Sequence, residues 1–147
     1  IYGCLNRQHV LYGRAVFLSY YLSNRKDSDS IEKFWDCVII SILLNKHEQI
    51  QVVGEAGNFK ELLEKLTQIP ADILMTDDVM PFGDILTVLP VIKEQYPELK
   101  IIVNSMHDAS APHIKKMMEW ADGLVGFNSV AADFIKAVET VWGIKNI

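Results

Sequence analysis

Cysteine is scarce in this sequence. The two that occur, Cys4 and Cys37, lie in apolar runs and show neither CxxC nor Cys/His spacing. That speaks against a disulfide framework and for buried thiols in a reducing, cytoplasmic setting. Basic charge is also short: 14 Lys and Arg against 19 Asp and Glu leave a net charge of -5, which offers no long-range attraction to polyanionic DNA. No apolar run reaches the roughly 18 residues of a membrane span, and no charged-then-apolar leader with a small-residue cleavage site is visible. No Ser-His-Asp arrangement stands out, and Gly54-Glu55-Ala56-Gly57 lacks the GxGxxG spacing of a phosphate-binding loop. His9, His47, His107 and His113 show no HxxxH or Cys-partner spacing, so no zinc site is expected.

What is present is a globular chain of 147 residues, 50% hydrophobic and 22% charged, which fits one domain spanning residues 1–147. From residue 50 onward, strand-like and helix-like patterns alternate. Residues 50–53 form a short β-branched run closed by Gly54, and Phe59, Leu62, Leu63 and Leu66 then recur at helical spacing before Pro70. Residues 73–75 read as a strand. Ile85, Leu86, Leu89, Val91 and Ile92 outline a helix in spite of Pro90. Residues 100–103 read as a strand, Pro112 opens a helix containing Ile114 and Met117, and residues 122–126 give a short final strand. Ser129 is placed to cap a last helix carrying Val130, Phe134, Ile135, Val138 and Val141. Strands joined by single amphipathic helices imply right-handed crossovers and an α/β, doubly wound, five-stranded parallel sheet. In such sheets the functional crevice lies beyond the carboxyl ends of the strands, where Asp77, Ser105 and the Phe127-Asn128 pair fall.

The first 48 residues are less regular and admit two divisions. In the preferred one, residues 1–5 form the first strand and residues 9–22 the first helix, and a second helical pattern over residues 31–44 becomes an insertion at about 25–48. In the other, a strand over residues 14–20 is followed by residues 31–44 as the sole first helix. The insertion would carry Ile31, Phe34, Trp35, Val38 and Ile42 on one stripe. It would need apolar cover, which a second copy of the chain, giving a homodimer, or another domain could supply.

The segment Ala71-Asp72-Ile73-Leu74-Met75-Thr76-Asp77-Asp78-Val79-Met80-Pro81 runs an apolar strand into an aspartate, two further residues and Met-Pro. It resembles the phosphoacceptor strand and loop of bacterial response-regulator receiver domains. Gln51-Val52-Val53-Gly54-Glu55-Ala56, Ala121-Asp122-Gly123 and Phe134-Ile135-Lys136-Ala137-Val138 extend the resemblance, over most of residues 49–142, to receivers of the NarL/LuxR type. The resemblance implies a flavodoxin-like fold with Asp77 at the phosphoacceptor position and Ser105 as the switch hydroxyl. It also implies Mg2+ held by the phosphoacceptor, acids after the first strand and the Val79 carbonyl.

Other parts of that pattern are missing. The acidic-pair positions are filled by Asn6 and Arg7 in the preferred division, or by Ser19 and Tyr20 in the other, and Phe127 stands where the resemblance calls for Lys. Leu124 replaces the aromatic of the fifth strand. Arg7 could pair with Asp77 in place of the lost cations, Asp78 is expected to turn away from its neighbour, and Asp27 and Asp29 read as a solvated turn. The implied protein is an atypical receiver, or pseudo-receiver. It would be a non-enzymatic signalling and protein-interaction module in transcription regulation, working without conventional Asp phosphorylation and needing no cofactor, with Mg2+ bound weakly at best. DNA would be reached only through a further domain, and no membrane is involved. The alternative is a genuine two-component receiver phosphorylated on Asp77; a third class is an enzyme or small-ligand binder on the same sheet.

Overall fold

A computed structural model describes residues 14–19, 44–46, 50–79, 83–105, 107, 109–126 and 131–142. Five strands, β1 (Arg14–Ser19), β2 (Ile50–Ala56), β3 (Ile73–Asp77), β4 (Lys100–Asn104) and β5 (Gly123–Val125), form one sheet in the order β2-β1-β3-β4-β5. Every neighbouring pair is parallel. Four helices are described: α1 (Phe59–Leu66), α2 (Ile85–Gln95), α3 (Pro112–Met117) and α4 (Ala131–Trp142). The doubly wound parallel architecture expected from the alternation is the one observed.

Period-2 alternation sorts the strand residues onto two cores. Phe17, Leu74, Ile101 and Val103 point to the face covered by Phe59 and Leu62 of α1, Leu89 and Ile92 of α2, and Ile114 and Met117 of α3. Val16, Leu18, Ile73, Met75 and Ile102 point to the other, against Leu44 and against Phe134 and Val138 of α4. Strands buried on both faces read as continuous apolar runs, as residues 15–18 and 73–75 do. Pro90 sits inside α2, whose start is secured by Asp84 Oδ1 accepting the Leu86 N–H at 3.0 Å.

Two aspartates pin the amino-terminal edge of the sheet. Asp72, just before β3, accepts the Ala15 N–H of β1 on Oδ2 at 2.9 Å. Asp122, just before β5, accepts the Ile101 N–H of β4 at 2.9 Å and also takes the Lys93 ammonium at 3.2 Å. The Asp122 position in Ala121-Asp122-Gly123 therefore has a structural reason. β1 and β2 shift register between Val16 and Phe17, and Gly54 lies under the Phe17 ring, where an added Cβ would come within 2.6 Å of Phe17 Cε2.

The preferred division of the first 48 residues is corrected. The first strand is Arg14–Ser19, inside the segment read as a first helix over 9–22, so residues 1–5 are not β1 and Asn6 and Arg7 do not follow it. β1 lies between β2 and β3 with both faces covered, and a short run apolar on both faces has no periodicity to separate it from a buried helix. Most of residues 25–48 lie outside the described residues; within them, residues 44–46 are helical.

Candidate functional site

The strand order reverses direction between β1 and β3, and at such a switch point a crevice opens beyond the carboxyl ends of the strands. Asp77 closes β3 there. It is 5% exposed, and its Oδ1 accepts from Asn104 Nδ2 at 3.2 Å, the residue it faces in the β3–β4 register. The backbone pairing continues one step further through the Asp78 N–H to the Asn104 carbonyl at 3.1 Å. Val79 is exposed beyond it.

Ser105 follows β4 and is buried. Its Oγ donates to Asp78 Oδ2 at 2.8 Å and accepts the His107 N–H at 3.0 Å. A hydroxyl carries one proton, so the Ser105 proton is committed to Asp78 and not to Asp77. Asp78 turns toward the loop that follows β4, to a partner different from that of Asp77, and its side chain is only 8% exposed. Two imidazoles converge on it: His107 Nε2 and His113 Nε2 each stand 4.0 Å from Asp78 Oδ2. The two rings meet edge to face with centroids 4.6 Å apart.

The sequence positions proposed for the site divide accordingly. Asp77 and Ser105 occupy the places assigned to them at adjacent strand ends. Asn6, Arg7 and Phe127 lie outside the described residues, and the correction of β1 removes Asn6 and Arg7 from the loop that follows it. Residues 20–26, which come directly after β1, contain no Asp or Glu. Leu124, in the aromatic slot, is half-buried against the helix-covered core. The Asp78, His107 and His113 group was not found by spacing, because His107 and His113 are six residues apart across a turn and the acid comes from another strand. Reading which loops share the carboxyl edge of β3 and β4 would have been the signal. A separate cavity of about 460 Å³, lined by residues including Leu66, Pro70, Tyr96 and Leu99, opens at the amino-terminal edge, away from these groups. No helix among the described residues is long and apolar enough to cross a membrane.

No protein-family model matches the chain. Among curated proteins it is 32% identical over 103 residues to the oxygen regulatory protein NreC of Staphylococcus epidermidis, a match taking in 69% of this chain and 47% of that protein. The chain thus spans about half the length of that relative. Among solved structures, the isolated REC domain of RcsB from Salmonella enterica serovar Typhimurium shares 26% identity with a TM-score of 0.71, with 92% of each chain covered. The signal receiver domain of the response regulator NarL from Mycobacterium tuberculosis, at 19% identity, shares the fold with a TM-score of 0.72, over 90% of this chain and 98% of that one. A parallel sheet with a buried aspartate at its switch point, on a sequence related to these regulators, makes the chain a response-regulator receiver domain of the NarL/LuxR type.

Proposed function

We propose that this receiver acts as a protein-interaction module in transcription regulation whose output does not depend on conventional phosphorylation of Asp77. The observation that carries the reading is the end of β1 at Ser19, followed by seven residues, 20–26, without a carboxylate. Mg2+ demands near-octahedral oxygen ligation. Among the described residues, the donors at the phosphoacceptor are the Asp77 carboxylate and the Val79 carbonyl, a set that fits the ion poorly. Phosphoryl transfer relies on positioning and on neutralising charge spread over the transferred group. A site with Phe127 where the resemblance calls for Lys, and with no acid in the seven residues after β1, supplies little of either. The commitment of the Ser105 proton to Asp78 supports the same reading, since that hydroxyl is already engaged without a phosphoryl group.

Regulation of DNA would then run through a further domain, and partners would be proteins, a second copy of this chain among them. The test is exposure of the protein to acetyl phosphate, and separately to beryllofluoride, each with Mg2+, followed by intact-mass and two-dimensional NMR measurements. No phosphoprotein and no beryllofluoride-dependent shift at the β3–β4 edge are expected. Mg2+-dependent uptake that disappears in Asp77→Asn would establish the alternative, a genuine phosphoacceptor.

A further inference from the structure

We infer that Asp78, His107 and His113 form a binding site for a first-row transition-metal dication of the zinc type, separate from the phosphoacceptor. Each residue can offer one ligand atom, and the three atoms lie within 4.8 Å of one another. Two imidazole nitrogens and one carboxylate oxygen are a donor set suited to zinc and its neighbours rather than to Mg2+. A tetrahedral zinc ion with bonds of about 2.0–2.2 Å holds its ligand atoms roughly 3.3–3.5 Å apart. The observed separation of 4.0 Å from Asp78 Oδ2 to each Nε2 therefore exceeds that of a loaded site by about 0.6 Å.

The side chains are disposed to make up that difference. The acid is fixed: it is 8% exposed and held by the Ser105 hydroxyl, the kind of outer hydrogen bond that orients ligating carboxylates. The imidazoles are 51% and 40% exposed, so they can rotate inward and an ion can reach them from solvent. His107 is itself positioned by its backbone N–H on Ser105 Oγ, and His113 by the first turn of α3 behind Pro112. With three protein ligands, a fourth position stays open to water or to a donor from another molecule. The ion would tie the loop leaving β3 to the loop and helix that follow β4.

The experiment is calorimetric titration of the tag-free protein with Zn2+, with Co2+ visible absorption as a report of coordination number, and a thermal melt with and without metal. Expected are one equivalent bound, a tetrahedral Co2+ spectrum, a raised melting temperature and no displacement by excess Mg2+. Affinity should fall more than about 100-fold in His107→Ala, His113→Ala and Asp78→Asn, and about 10- to 100-fold in Ser105→Ala, which removes the outer hydrogen bond. Asp77→Asn should bind Zn2+ as the unaltered protein does. His107 is exposed and His113 half-buried, and neither belongs to the core clusters, so their alanine variants test ligation without disturbing the core. Absence of binding, or binding that survives both His107→Ala and His113→Ala, overturns the assignment.

Discussion

Ser105 Oγ and Asp78 Oδ2 are 2.8 Å apart, joining the end of β4 to the residue after β3. The donor is a buried hydroxyl and the acceptor a carboxylate oxygen. A hydrogen bond of this kind contributes about 1.5–3 kcal/mol. Ser105→Ala is therefore expected to lower stability by about 1–3 kcal/mol in urea unfolding. A variant as stable as the parent would show that the bond is solvent-exchanged and does not hold the two loops together.

Gly54→Ala is expected to destabilise by about 1–3 kcal/mol through overpacking, because the new methyl group meets the ring of the fully buried Phe17. Adding Phe17→Leu to Gly54→Ala should recover part of that loss relative to Phe17→Leu alone. Additive effects in the double-mutant cycle would contradict the clash.

Asp122→Asn keeps an acceptor for the Ile101 amide but removes the charge that pairs with Lys93, whereas Asp122→Ala removes both and leaves a part-buried backbone N–H without its partner. The alanine variant should lose about 1–3 kcal/mol and the asparagine variant clearly less. Amide hydrogen exchange at Ile101 gives the local reading: it should speed up in the alanine variant.

At the start of α1, Asn58 Oδ1 accepts the Glu61 N–H at 2.7 Å, and Glu61 reaches back to the Gly57 N–H at 3.2 Å and forward to Lys65 at 2.6 Å. The hydrogen bond from Lys65, then that from Gly57, holds the Glu61 carboxyl below its ordinary value of 4.5. A carboxyl depressed in the folded state contributes stability above its unfolded value, and that contribution is lost as pH falls through the folded one. Glu61 is partly exposed, so the pair is screened and worth roughly 0.5 kcal/mol. Glu61→Gln should be less stable than the parent by that amount at neutral pH. The two should converge below pH 4.5, and a gap that stays constant into acid would rule out this linkage.

Much of the sheet could be read from the chain because β2, β3 and β4 are each followed by a helix with a clear apolar stripe and a stop, such as Leu66 before Pro70 or Ile92 before Pro97. β1 was different. Ala15, Val16, Phe17 and Leu18 are all buried, Phe17 in one core and Val16 and Leu18 in the other, and flanking apolar residues at helical spacing masked a strand only six residues long. At the site, Asp77 and Ser105 were legible because each ends or follows an apolar strand. The His107–His113 pairing on Asp78 was not, since it depends on the register of β3 with β4, which places Asp77 beside Asn104 and so brings the two following loops face to face.

The carboxylates of Asp72 and Asp122 clamp amides near the beginnings of β1 and β4, so one rim of the sheet is stapled by side chains to backbone. At the opposite rim the neighbouring strand ends are joined instead by side chain to side chain, Asn104 to Asp77 and Ser105 to Asp78, bonds that a change in either aspartate would alter directly.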